Sequence, residues 1–198
     1  MSGLPQLPPA IPRTHGPLVA AFGRRMLALT GWRLENIEGG FPDLPKFVMI
    51  VAPHTSNWDV PVGLMAKFAL QLSCKFIAKH SVFWWPLGAF LRAMGGVPVN
   101  RSAAADFVEQ TVRIFSGREQ LVLVITPEGT RSKVVRWKSG FHRIARAAGV
   151  PVVLVSFDYS RKVIRLGPSF PATADYERDL ASIQAYIRPE MARHPERY

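Results

Sequence analysis

Apolar residues along this chain fall into two kinds of pattern. Short unbroken runs, FVMIVA at 47–52, LVLVI at 121–125 and VPVVLVSF at 150–157, are what strands show when a sheet is covered on both faces. WRLENI (32–37), KFIA (75–78), VPV (97–99) and KVIRL (162–166) add shorter strand-like segments. Between them, residues 59–72, 86–94, 103–116, 139–148 and 175–192 read as helices, three of them closed by Gly95–Gly96, Gly117 and Gly149. Asp175, Glu177 and Asp179 at the start of the last segment suit the positive end of a helix. Alternation of this kind, without internal repeats, predicts an α/β fold: a layered domain with a central mixed, mostly buried β-sheet flanked by helices.

Two segments precede the alternation. Residues 1–17 hold Pro5, Pro8, Pro9, Pro12 and Pro17 and predict an extended, partly disordered arm. Residues 18–30, LVAAFGRRMLALT, place Leu18, Phe22, Met26 and Leu29 at spacings of three and four, with Arg24 and Arg25 off that line. Such an amphipathic N-terminal helix either packs on the domain or lies on a bilayer interface. Residues 32–198 then form one domain, and a chain of 198 residues is long enough to bury a core unaided. Lys67 and Lys75 interrupt the apolar stretch 60–78. The run VFWWPLGAFL at 82–91 is far shorter than the roughly 20 residues of a spanning helix, so no transmembrane helix is expected. The N-terminus lacks the order of a signal peptide.

Charge changes the picture next. The formal net charge is +11, which asks for an anionic partner: nucleic acid, a membrane surface or a phosphorylated substrate. Much of it sits at 131–165, where Arg131, Lys133, Arg136, Lys138, Arg143, Arg146, Arg161, Lys162 and Arg165 are accompanied by one acid, Asp158. Cys74 is the single cysteine, so no internal disulfide can form, and no Cys/His spacing resembles a zinc site, so no metal is expected.

Candidate chemistry lies at the ends of strands. APHTSNWD (52–59) follows one buried run and opens a helix. If Asp59 folds back on His54, its carboxylate fixes the imidazole tautomer and stabilises the ring once protonated, leaving the other nitrogen as a base. The alternative is a helix-capping Asp59 and a packed His54. TPEGTRS (126–132) follows the run at 121–125. There Gly129 permits a tight turn, Thr130 and Ser132 offer hydroxyls, and Arg131 can hold a phosphate through paired hydrogen bonds. Glu128 is either paired with an arginine or placed for a substrate hydroxyl. GGVPVNRS (95–102) delivers Arg101 to a sheet end. Three such sites fit the tendency of open α/β sheets to bind ligands beyond their strand ends. There is no G-x-S-x-G elbow for a serine nucleophile, and Cys74 sits in an apolar stretch that suits packing.

In their order, HTSNWD, GGVPVNR, TPEGTRS and GVPVV make the chain resemble the glycerolipid acyltransferase family, whose best-known members are the 1-acyl-glycerol-3-phosphate acyltransferases. The match runs over roughly residues 32–170. The resemblance implies a glycerolphosphate acyltransferase-like fold and O-acyl transfer from acyl-CoA or acyl carrier protein to a lysophospholipid hydroxyl, with lysophosphatidate the leading acceptor. It implies that His54 is the general base, that Asp59 orients it, and that Arg101 binds the acceptor phosphate. Glu128, Gly129, Thr130 and Arg131 would shape the acceptor pocket, and Lys79 matches a frequent family lysine that would stabilise charge. No cofactor is implied beyond the thioester co-substrate. Asn100 stands where the family often has Asp.

A lipid enzyme without a spanning helix would dock peripherally, at the cytoplasmic face, on anionic lipids. The helix at 18–30, the stretch Phe83, Trp84, Trp85, Phe90, and the basic region around Trp137 are candidate contacts, although Trp84 and Trp85 suit a core equally well. A basic nucleic-acid-binding module and a catalytically silent lipid-binding relative are the alternatives. The first is disfavoured because the cationic region flanks an acidic turn and no nucleic-acid motif is apparent, so no nucleic-acid partner is expected.

Overall fold

The computed structural model describes residues 4–99 and 104–198. Its strands are β1 (Arg33–Asn36), β2 (Lys46–Val51), β3 (Lys75–Lys79), β4 (Gly96–Val99), β5 (Leu121–Ile125), β6 (Val152–Asp158) and β7 (Val163–Phe170). They form one sheet in the order β1-β7-β6-β2-β5-β3-β4. β6 and β7 pair antiparallel, and every other neighbouring pair is parallel, so the sheet is mixed as predicted. The α-helices are α1 (Pro17–Thr30), α2 (Asp59–Ala69), α3 (Leu87–Ala93), α4 (Ala104–Ser116), α5 (Gly140–Ala148) and α6 (Tyr176–Gln184).

The unbroken apolar runs have a simple cause. Successive strand residues point to opposite faces, and both faces are covered. In β2, Phe47, Met49 and Val51 join a core layer with α1, α2 and the N-terminal arm, while Val48 and Ile50 join the opposite layer with α4, α5 and α6. β6 divides the same way, with Val153, Val155 and Phe157 on one side and Val152 and Leu154 on the other. Each such side chain contributes roughly 1.5–3 kcal/mol by leaving water.

Three expectations need correcting. Residues 4–16 run without helix or strand, but the arm is seated, not loose. Leu7 and Ile11 are buried in the core, and the Thr14 amide donates to the Gln71 carbonyl at 2.9 Å. Two apolar side chains per short segment suffice to hold an extended arm that prolines keep from coiling.

The last helix is α6, which stops at Gln184 instead of reaching 192. Pro189 has no amide proton and forces Arg188 into an extended conformation (φ −125°, ψ 146°), which a continuing helix cannot accommodate. Finally, Trp137 is buried against Phe141, so it is a core residue and presents nothing to a membrane.

The structure also decides between open alternatives. α1 packs through Ala20, Gly23 and Leu27, not through its large apolar line. A Cβ on Gly23 would lie 2.5 Å from the Ala69 amide nitrogen of α2, so close approach of the two helices requires glycine there. Leu18, Phe22 and Leu29 are left facing out, Leu18 with 84% of its surface exposed. Phe83 is buried, but Trp84 (60%), Trp85 (84%) and Phe90 are exposed.

Candidate active site

β2, β3, β4, β5 and β6 run parallel, so their carboxyl ends share one edge of the sheet. HTSNWD leaves β2 at that edge, and TPEGTRS leaves β5 beside it. Residues far apart in sequence are thereby brought into contact.

Asp59 is the first residue of α2 and folds back over the preceding loop. Its Oδ2 accepts the Ser56 amide proton at 3.0 Å and lies 2.9 Å from His54 Nδ1. The His54–Asp59 contact has the distance of an ion pair without the alignment of a hydrogen bond, since the buried Nδ1 has no well-directed partner among the described residues. The two side chains are largely buried, 12% and 2% exposed, and stand within electrostatic contact. With Nδ1 toward Asp59, Nε2 is the ring nitrogen directed away from the carboxylate. Ser56 Oγ accepts from the Trp58 amide at 3.2 Å within the loop, but no side chain caps the start of α2, so the helix-capping alternative for Asp59 does not apply.

Among the described residues Glu128 has no arginine partner. Its Oε1 accepts the His54 backbone N–H at 3.0 Å, which ties the β5 turn to the β2 loop across 74 residues of sequence. Oε2 is buried with no hydrogen-bond partner among the described residues. Burial pushes this carboxyl up to about 7, against the opposing pull of the His54 amide and ring. The acid is therefore able to hold or release a proton near neutrality. Gly129 takes a left-handed conformation (φ +68°) and closes the turn by donating its amide to the Thr126 carbonyl at 3.1 Å. Thr130 and Arg131 are exposed, and Thr130 Oγ1 accepts from the Ser132 amide at 3.3 Å. Lys79 ends β3, in register with Val99 of β4. Arg101 lies outside the described residues.

Cys74 is buried, and burial pushes its thiol up to about 11, so it carries almost no thiolate at neutral pH. It packs, as its apolar neighbours predicted.

Sequence reasoning missed a residue. Tyr159 follows β6, donates its hydroxyl to Asp59 Oδ1 at 2.6 Å, and sits edge-on to Trp32 with ring centroids 4.9 Å apart. The available signal was its position directly after a buried run that ends at the same sheet edge. The C-terminal segment also reaches the site, where the His194 amide donates to Thr55 Oγ1 at 3.2 Å.

A buried His–Asp pair, a carboxyl that burial holds above its ordinary range and a hydroxyl-bearing turn are gathered at the carboxyl edge of the sheet. The family model described as Acyltransferase matches residues 40–158, which hold both halves of that site. The chain belongs to the acyltransferase family. Two plant relatives are named 1-acyl-sn-glycerol-3-phosphate acyltransferase. The one from Cocos nucifera is 32% identical to this chain over 103 residues, covering 48% of the chain and 30% of the relative. The chloroplastic LPAT1 of Arabidopsis thaliana is 30% identical over 141 residues, 67% of the chain and 38% of the relative. The chain thus spans about a third of the length of these relatives. Among solved structures, the 1-acyl-sn-glycerophosphate acyltransferase PlsC of Thermotoga maritima shares the fold, with a TM-score of 0.60 at 20% identity over 83% of this chain and 73% of that one.

Proposed function

We propose that this acyltransferase moves a fatty acyl group from an acyl-CoA or acyl carrier protein thioester to the hydroxyl of a lysophospholipid, with lysophosphatidate as the first acceptor to test. The observation that carries the reading is the 2.9 Å approach of Asp59 Oδ2 to His54 Nδ1 beside Glu128. The names of the two plant relatives support the acceptor.

In this reading His54 Nε2 takes the proton of the acceptor hydroxyl as the oxygen bonds to the thioester carbonyl carbon. Asp59 holds the ring and stabilises the imidazolium. The tetrahedral intermediate collapses, the carbon–sulfur bond breaks, and the imidazolium returns the proton to the leaving thiolate. Arg101 binds the acceptor phosphate, and Glu128, Gly129, Thr130 and Arg131 shape its pocket, with Lys79 adding positive charge. No covalent enzyme intermediate is needed, which agrees with the buried, protonated Cys74.

The site meets its substrate at a membrane surface. No helix among the described residues is long and apolar enough to cross a membrane. The exposed Leu18, Phe22 and Leu29 of α1 and the exposed Trp84, Trp85 and Phe90 supply an apolar contact. The exposed Arg131 and Lys133 supply cations for anionic headgroups.

Thiol release from acyl-CoA and acyl carrier protein, measured against a panel of lysolipids, tests the reaction. Release with lysophosphatidate that disappears in a folded His54→Ala variant is expected, and full activity of that variant overturns the reading. For docking, Leu18→Ser combined with Trp85→Ser is expected to lower cosedimentation with anionic vesicles severalfold at unchanged thermal stability. Equal binding removes these contacts from the proposal.

A further inference from the structure

We propose that Tyr159 is a positioning residue for catalysis, whose hydroxyl holds Asp59 in the orientation that fixes His54. The inference rests on the acyltransferase reading above and adds a residue that lies outside the HTSNWD and TPEGTRS segments.

The geometry is specific. Asp59 divides its carboxylate between two structures: Oδ2 takes the Ser56 amide and faces His54, and Oδ1 takes the Tyr159 hydroxyl at 2.6 Å. The first contact is local to the β2 loop and fixes one oxygen. The second comes from 100 residues away in sequence and removes the remaining freedom of the carboxylate to rotate about its own bond. A carboxylate held at both oxygens stays in one place beside Nδ1, 2.9 Å away, and a fixed negative charge there favours the tautomer with its proton on Nδ1. Because Nδ1 and Asp59 are close but poorly aligned, small rotations of that carboxylate decide the strength of the contact.

Tyr159 itself is held on three sides. Its ring packs edge-on against Trp32, and the Arg193 guanidinium lies 5.6 Å from its centroid and the same distance from Trp58. Its amide donates to the Met191 carbonyl at 2.9 Å. The preceding Asp158 is buried and tightens the turn by accepting from Ser160 Oγ at 2.6 Å and the Arg161 amide at 3.1 Å. Tyr159 also walls Asp59 from an open groove of about 530 Å³ lined by Trp32, Trp58, Met65 and Arg193. Burial first, then the bond to Asp59, pushes the phenol well above its ordinary range, so the hydroxyl remains a donor throughout the working pH range.

Tyr159→Phe keeps the ring between Trp32 and Arg193 and removes the donor alone. The expected result is a kcat about tenfold lower with KM for both substrates within twofold, at nearly unchanged thermal stability. A double-mutant cycle with Asp59→Asn gives the second readout. If Tyr159 acts through Asp59, adding Tyr159→Phe to Asp59→Asn lowers kcat by less than twofold more. Independent multiplicative losses overturn the proposal, as does a Tyr159→Phe enzyme with wild-type kcat. A third readout needs no activity. Nitrogen-15 spectra of labelled histidines are expected to report a single tautomer for His54 in the wild type and a mixture in Tyr159→Phe, and an unchanged His54 signal counts against the proposal. If acyl transfer itself is absent, the acyltransferase reading fails while the tautomer shift still reports the Tyr159–Asp59 link.

Discussion

His54 stands 2.9 Å from Asp59, and His142 stands 2.8 Å from Asp179. At nearly one distance, the two pairs have different surroundings. In the second pair the imidazole packs against the rings of Phe141 and Tyr176, and its side chain is 4% exposed. Asp179 also accepts the amide and the hydroxyl of Thr173, at 2.6 and 3.0 Å. The carboxylate is saturated within the fold, and the pair staples α5 to α6. In the first pair the carboxylate likewise accepts an amide and a hydroxyl, but the histidine is three times as exposed, and the Glu128 carboxyl beside it has an oxygen with no hydrogen-bond partner among the described residues. Closeness of His and Asp alone therefore does not tell the two pairs apart; the exposure of the imidazole and the acid beside it do.

Substitution of the two histidines separates the pairs most strongly. His54→Ala is expected to lower kcat by about 10³-fold or more while thermal unfolding changes little. His142→Ala is expected to do the reverse. It leaves Asp179 as a buried charge without its partner, costs about 3–5 kcal/mol of stability, and spares kcat measured well below the lowered Tm. Parallel unfolding curves and thiol-release assays check both, and comparable losses of activity in the two variants break the comparison.

Asp59→Asn and Asp179→Asn come next. The first is expected to cost about 10²–10³-fold in kcat with little effect on the thermal midpoint. The second is expected to move the midpoint, by roughly 2–4 °C per kcal/mol lost, and to leave the kcat of the folded enzyme alone.

Smallest, and opposite in sign, is the response of stability to pH. Glu128 has a folded value raised to about 7 from 4.5. The folded state holds that proton more tightly, so its contribution is full below about 4.5 and is lost as pH rises through about 7. For Asp179 burial acts to raise the value, but the hydrogen bonds from His142 and Thr173 together hold it below the ordinary 3.8. Its contribution is present above 3.8 and is lost as pH falls through the folded value. Denaturant unfolding across pH is expected to show Glu128→Gln flattening the loss between about pH 5 and 7, and Asp179→Asn flattening the acid side. A wild-type curve with no slope between pH 5 and 7 contradicts the assignment for Glu128.

How far the sequence carried the site depends on whether each partner was local. His54 and Asp59 are five positions apart, so one turn decides their meeting, and the motif exposed it. Glu128 was visible as an odd acid among cations, but its contact with the His54 amide needs the parallel pairing of β2 with β5. Tyr159 was marked only by its place after a buried run, and the pair His142–Asp179 left no local sign, because their partners lie 100 and 37 positions away. The large apolar line of α1 was legible, whereas the face that packs was not. Helical spacing shows that a stripe exists, and the small residues Ala20 and Gly23 that let α2 approach carry too little hydrophobicity to announce themselves.

By itself the sequence determined the alternation of strands and helices, the double covering of the sheet, the place of the motifs after strands, and the family. Those properties are written in runs, caps and short spacings, which act over a few residues. Tertiary structure alone decided which of two His–Asp pairs is sealed, which aromatic residues meet solvent, and which tyrosine holds the Asp59 carboxylate. Each of those depends on strand order and register, which join residues that no local spacing relates.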